Sequence, residues 1–95
     1  MEKPMLYVDF NEMLESNLVL LSPADERVDV HGKAVLLREG LEVTVCMEDT
    51  DNTGSVDNLV ASGVVEMNRS TASWAVHVKW CCRLDGGGIR HESEV

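Results

Sequence analysis

Basic residues, aromatic residues and long apolar runs are all scarce in this chain of 95 residues. Its 8 Lys and Arg face 17 Asp and Glu, which gives a formal net charge of −9 and argues against the whole chain binding nucleic acid or an anionic membrane. No stretch approaches the roughly 18 apolar residues of a membrane-spanning helix, and the first residues lack the apolar run of a signal peptide. We therefore expect a cytoplasmic protein with no membrane contact and with nucleic acid a disfavoured partner.

Cysteine is also scarce, and its distribution does not suggest a disulfide framework. Cys46, Cys81 and Cys82 form an odd set that contains no C-x-x-C pair. A disulfide between the adjacent Cys81 and Cys82 would be strained. We therefore expect reduced thiols, which agrees with a cytoplasmic location.

The chain does contain enough apolar sequence for one core, because 44% of its residues are hydrophobic. Its length suits a single domain over residues 1–95. We divide it into an N-terminal part, residues 1–27, with a helix or arm and a first strand, and a β-barrel over residues 28–95. The excess of acid lies in the first 58 residues, while residues 59–95 carry equal numbers of acidic and basic groups.

One segment near the N-terminus has the pattern of a helix. Asp9 and Glu12 have capping-box spacing, and Phe10, Met13 and Leu14 recur at helical intervals. We predict a helix of about two turns here, or else an extended arm.

Most of the remaining chain alternates apolar and polar residues with a period of two, which is typical of strands with one buried face. The clearest strand is predicted over residues 74–84, with Trp74 and Trp80 both on its inward face. The glycines at 86–88 then predict a hairpin turn into a last short strand.

Residues 38–92 resemble an SH3-like barrel, the group that includes Tudor and KOW domains. The resemblance is one of layout, and the residues that carry it are Glu39-Gly40, Val43 and Val45, Ala61 to Val65, Val76-x-Val78-x-Trp80 and Asp85-Gly86. It implies an all-β fold, a small antiparallel SH3-like barrel with a short N-terminal helix or arm. Methylated side chains are bound in such domains by a cluster of aromatics, and this chain has only four aromatic residues, so we do not transfer that function.

The loop from Asp49 to Asp57 offers oxygen ligands at alternating positions. Counted from Asp49, the first nine positions resemble an EF-hand calcium loop, with Gly54 at the sixth. The twelfth position is Val60, where the EF-hand has a bidentate Glu. Two interpretations are open: a solvated turn, and a weak Ca²⁺ or Mg²⁺ site whose ligands are Asp49, Asp51, Thr53 and Asp57.

The outward face of the strand predicted over 74–84 carries a row of cationic and thiol side chains. Its members are His77, Lys79, Cys81 and Arg83, and Arg90 on the next strand extends it. This row is a candidate surface for an acidic protein or a phosphate backbone. Alternatively, its cations pair with Glu42, Glu48 or Glu66 across the sheet.

These patterns favour a non-enzymatic, acidic protein-interaction module without a cofactor, either monomeric or dimeric, whose partner is another protein. Divalent-cation binding at the Asp49–Asp57 loop is the alternative. A third possibility is a small thiol enzyme or redox protein that uses Cys81, whose thiol pKa Lys79 and Arg83 would lower if the side chain were exposed. A zinc site at the cysteines and histidines is disfavoured because adjacent Cys81 and Cys82 point to opposite faces of a strand.

Overall fold

The computed structural model describes residues 3–94, and it confirms the all-β fold class. The strands are β1 Met5–Tyr7, β2 Met13–Glu15, β3 Leu18–Ser22, β4 Glu26–Val28, β5 Ala34–Leu36, β6 Glu42–Met47, β7 Leu59–Met67, β8 Trp80–Leu84 and β9 Arg90–His91. A single 3₁₀ turn, Glu92–Glu94, follows β9.

Most strands belong to one mixed sheet in the order β1-β6-β7-β8-β3-β2. β1 runs parallel to β6, and the other neighbours are antiparallel. β4 and β5 form a separate hairpin. Within residues 3–94, β1 and β2 are not paired with each other, so this sheet is not a closed barrel and the SH3-like barrel is not confirmed.

Each face of the sheet contributes to a buried cluster. The larger cluster lies on what we call the inner face, and it comprises Leu6, Val19, Leu21, Leu37, Val43, Val45, Ala61, Val65, Trp80, Cys82 and Leu84. A smaller cluster lies on the outer face and comprises Leu18, Leu20, Ala75, Val78 and Cys81. The alternation of strand residues therefore divides the apolar sequence between two faces.

Gly63 is required where β7 meets β8. A Cβ atom at this position would collide with the Arg83 carbonyl oxygen and would lie 2.6 Å from the Cys82 sulfur. The absence of a side chain lets the buried backbone of β8 approach β7 closely.

One half-buried arginine connects two strands, β1 and β3, that lie far apart in the order of the sheet. Arg27, in β4, donates from Nη1 to the Leu21 carbonyl of β3 and from Nη2 to the Tyr7 carbonyl of β1, both at 2.8 Å. Burial lowers the pKa of Arg27, and no carboxylate among residues 3–94 forms an ion pair with it. Its charge is therefore balanced by backbone dipoles from two strands that are not neighbours in the sheet.

Of the two alternatives predicted near the N-terminus, a helix or an extended arm, the helix is not formed: a turn at residues 10–11 leads into the short strand β2. The Asp9 side chain closes a turn by accepting from the Asn11 backbone N–H at 2.9 Å, and Met13 then pairs with Val19 in β3. A helix of two turns is marginal by itself. Pairing with β3 satisfies the backbone groups of this segment instead.

The strand predicted over 74–84 is half as long as expected, because β8 begins at Trp80. Met67, the last residue of β7, is already opposite Trp80, so the preceding residues have no strand beside them. Residues 68–79 form a loop, here called the Trp74 loop, in which Trp74 is exposed rather than inward.

The glycine segment is a bulge between two strands, β8 and β9, that run in the same direction, and not the expected hairpin turn. Leu84 lies opposite Gly63, and Arg90 lies opposite Val60. The chain therefore advances six residues from β8 to β9 while β7 advances only three. Both strands therefore run antiparallel to the same edge of β7, and three residues protrude between them. Of the three glycines, only Gly88 has a positive φ, 66°, which a side chain would strain.

We expect Arg27→Ala to lower the free energy of unfolding by about 2–3 kcal/mol, because the carbonyls of Leu21 and Tyr7 both lose a charged donor. Urea denaturation followed by tryptophan fluorescence measures the change. Arg38→Ala is the matched control: Arg38 is exposed, and its removal is expected to change stability by less than about 0.5 kcal/mol. Equal effects of the two substitutions would contradict this role of Arg27.

Candidate functional site

The structure does not bring the predicted cationic row onto one strand face. His77 and Lys79 lie in the Trp74 loop, and only Cys81 and Arg83 belong to β8. Arg90 lies beyond the glycine bulge, in β9. The predicted row is therefore divided among the Trp74 loop, β8 and β9, because the strand expected over 74–84 begins only at Trp80.

Arg83 is an internal cross-link between strands. Its Nε donates to Glu66 Oε1 at 2.6 Å, and its Nη1 donates to Glu15 Oε1 at 3.1 Å and Asn17 Oδ1 at 3.0 Å. These contacts join β8 to β7 and β2, and the hydrogen bonds to Glu15 and then Glu66 raise the pKa of Arg83. The predicted pairing with Glu66 across the sheet is present, so the charge of Arg83 is balanced within the fold.

Lys79 is balanced in the same way by Asp25. Its Nζ lies 2.7 Å from Asp25 Oδ1, which also accepts from Trp80 Nε1 at 2.9 Å. The hydrogen bonds from Lys79 and Trp80 lower the pKa of Asp25. Lys79 also lies 5.4 Å from the centre of the Trp80 ring, so this cation anchors the start of β8.

The Cys81 thiol is buried, so the condition for a reactive thiol is not met. Its sulfur belongs to the outer-face cluster with Leu18, Leu20, Ala75 and Val78. Burial, and after it the charge of Glu66, raises the pKa of Cys81 to about 11 against the opposing effect of Arg83. Arg83 does lower this pKa, but desolvation is the larger effect, so the net shift of the Cys81 pKa is upward.

We expect Cys81 in the folded protein to react with 5,5′-dithiobis(2-nitrobenzoate) more slowly than free cysteine at pH 8. At this pH the thiol is protonated and enclosed. A Cys46→Ser/Cys82→Ser variant isolates the Cys81 signal, and unfolding in guanidinium gives its unprotected rate. A folded rate at or above that of free cysteine would restore the thiol-enzyme hypothesis.

The predicted cation loop is occupied by its own hydrogen bonds. Asp51 Oδ1 accepts from the Thr53 N–H at 2.8 Å, the Thr53 hydroxyl at 2.7 Å and the Ser55 N–H at 3.0 Å. These bonds lower the pKa of Asp51. Asp51 and Thr53 therefore stabilise the turn, whose Gly54 has a φ of 85°.

The other two predicted ligands, Asp49 and Asp57, both lie close to His91. His91 Nδ1 is 3.8 Å from Asp49 Oδ2 and 3.7 Å from Asp57 Oδ2. Asp57 also accepts from the Ser93 hydroxyl at 2.7 Å and the Ser93 N–H at 3.1 Å. The hydrogen bond to the Asp57 carbonyl, followed by the two carboxylates, raises the pKa of His91. This part of the loop thus fastens the chain after β9.

Cation binding at this loop stays a prediction. Within residues 3–94, no group of three or more His, Cys, Asp or Glu side chains has the arrangement of a metal site. A cation would have to displace the hydrogen bonds of Asp51 and Asp57. We therefore expect Ca²⁺ to bind with a dissociation constant of about 10⁻³ M or weaker.

A Ca²⁺ titration followed by amide chemical shifts of residues 49–58 measures this affinity. The Asp51→Asn and Asp57→Asn variants show which carboxylates contribute. A parallel titration with NaCl at matched ionic strength controls for screening. Saturation of the shifts at micromolar Ca²⁺ would contradict our expectation and favour a dedicated calcium site.

Two features were missed by sequence reasoning. The first is the exposed face of the Trp74 loop, since the alternating pattern wrongly placed Trp74 inward. The second is a groove beside the glycine bulge, bordered by Arg90. The three consecutive glycines were the available signal for the second feature, but a turn explains such a run equally well.

No family model matches the chain, no curated protein matches its sequence and no solved structure matches its fold. No helix within residues 3–94 is long and apolar enough to cross a membrane. The functional conclusion therefore rests on the geometry of this chain.

Proposed function

We propose that this protein is a non-enzymatic module that binds another protein through the Trp74 loop. The observation that carries the proposal is the exposure of two large apolar side chains on a braced loop. Trp74 is 51% exposed and Val76 is 59% exposed. Exposed tryptophan is costly in water, and it is among the residues that most often dominate binding energy at protein interfaces.

The Trp74 loop is held in place from inside. The Asn68 side-chain amide donates to the carbonyls of Ala75 at 2.9 Å and Val78 at 2.8 Å. Ala75 and Val78 are buried against the outer-face cluster. Because its inner residues are fixed, the loop presents Trp74 and Val76 with little conformational entropy left to lose on binding.

The charge of the surface points to a cationic partner. Arg69, Lys79 and Arg83 are paired with carboxylates inside the fold, so the net charge of −9 is carried by other, unneutralised acidic groups. Asp9 and Glu12 line a cleft that His77 and Val78 of the Trp74 loop also border. A partner that offers an apolar side chain next to Lys or Arg complements this region.

We also propose that the protein is located in the cytoplasm. Its support is that Cys46, Cys81 and Cys82 are all unpaired and buried, which suits a reducing compartment.

We expect Trp74→Ala to abolish capture of the partner from a lysate of the source cell, because the apolar anchor is lost. Leu36→Ala is the matched control, since Leu36 is 69% exposed on the separate β4–β5 hairpin. The captured protein is then purified, and its affinity for each variant is measured by calorimetry at 50 and 300 mM salt. We expect a loss of at least about tenfold for Trp74→Ala and weaker wild-type binding at high salt.

Two outcomes would overturn the proposal. One is equal binding of the partner by wild type and by Trp74→Ala. The other is an equal loss with Leu36→Ala, which would indicate unspecific adhesion of exposed apolar residues. Circular dichroism and urea denaturation of both variants confirm that the fold is retained.

A further inference from the structure

A second surface, separate from the Trp74 loop, has the features of a small ligand site. The glycine bulge, residues 85–89, stands beside the outer face of the sheet and leaves an open groove of about 500 Å³. Met5 of β1, Thr44 of β6 and Ser62 of β7 lie opposite one another across the three strands, and they line the groove with Val60. Bulges of this kind are frequent beside binding sites because they redirect side chains.

Arg90 borders this groove with its terminal nitrogens uncommitted. Its Nε donates to the Gly87 carbonyl at 3.0 Å, which ties the side chain to the bulge. Neither Nη has a hydrogen-bond or ion-pair partner among residues 3–94, in contrast to the Nη atoms of Arg27, Arg69 and Arg83. The held guanidinium therefore keeps the pair of donors with which arginine binds carboxylates bidentately.

Gly87 leaves the space that the Arg90 head occupies. A Cβ at this position would lie 3.2 Å from Arg90 Nη2 and 3.2 Å from Asp85 Oδ1. A Cβ at Gly86 would have no atom within 4 Å. Neither of these glycines has a positive φ, so backbone conformation does not require them. A side chain at 87 would therefore shift the Arg90 head or the Asp85 carboxylate by a few tenths of an ångström.

We propose that this groove binds a ligand with a single carboxylate, which Arg90 holds while the apolar part of the ligand contacts Met5 and Val60. The Thr44 and Ser62 side chains supply hydroxyls beside it. Asp85 and Glu92 also line the groove, and Asp85 Oδ1 already accepts from the Gly87 N–H at 2.9 Å. Their negative charge repels a dianion such as phosphate more strongly than a monoanion, which favours a carboxylate as the ligand group.

The test is a titration of the ¹⁵N-labelled protein with three probes. They are 3-methylbutanoate, N-acetyl-Gly-Val-Leu with a free C-terminal carboxylate, and the same peptide as its C-terminal amide. We expect saturable shifts at the bulge, at residues 44 and 62 and at the Arg90 Nε–H with at least one of the two acids. The amide is expected to bind at least about tenfold more weakly than the acid peptide, since it lacks the charged acceptor.

The first two probes distinguish the source of the carboxylate. Saturation by 3-methylbutanoate alone assigns the site to a free small acid. Saturation by the acid peptide, alone or at lower concentration, assigns it to a peptide C-terminus. Neither result depends on the Trp74 loop, and Trp74→Ala is expected to leave both titrations unchanged.

Two pairs of variants complete the test. Arg90→Gln should reduce the affinity at least about tenfold, while Arg38→Gln removes the same charge elsewhere and should not. Gly87→Ala should weaken binding by displacing the Arg90 head, while Gly86→Ala should not. The absence of saturation by either acid at 20 mM, equal binding of the amide, or equal losses for Arg90→Gln and Arg38→Gln would each overturn the proposal.

Discussion

One half-buried cation, Arg27, joins parts of the fold that are not paired with one another. The sheet has β1 and β2 at its two ends, and Arg27 of the separate β4–β5 hairpin reaches backbone carbonyls of both β1 and β3. Three pieces of chain that share no strand pairing therefore meet at one guanidinium. Leu6 of β1 and Leu21 of β3 are both buried in the inner-face core. Without Arg27, the carbonyls of Tyr7 and Leu21 would both lose a charged donor.

The other cations follow a related principle, because several of them hold the fold together rather than face a partner. Arg83 joins three strands through Glu66 and Glu15, and Lys79 fixes Asp25 beside Trp80. These pairs use up basic groups that are few in number, whereas Asp and Glu outnumber Lys and Arg 17 to 8. The remaining surface is therefore strongly acidic. Arg90 differs: its Nε donates to a backbone carbonyl, and its Nη atoms have no partner among residues 3–94. That difference separates a cation available to a ligand from cations already neutralised.

The strands that the alternation predicted well are those with partners along their whole length. β6 and β7 pair from Glu42 opposite Val64 to Met47 opposite Leu59, and the period of two matches their burial. The same pattern misled over residues 74–79, where β7 has ended and a loop braced by Asn68 takes its place. It also placed Cys81 on an open face, although the Trp74 loop covers that face with Ala75 and Val78. Local periodicity contains no information about where a partner strand stops.

The scarcity of basic residues, the acidic charge and the period-two pattern determined by themselves that this is an acidic, all-β protein, because composition and alternation are local properties. The tertiary structure alone decided which cations are neutralised, which thiols are buried and which tryptophan is exposed. It also decided that the glycine run is a bulge, since strand β9 continues along the same edge of β7 as β8. Those outcomes depend on contacts between residues far apart in the chain, such as Trp80 with Asp25 and Arg83 with Glu15, which no local pattern encodes.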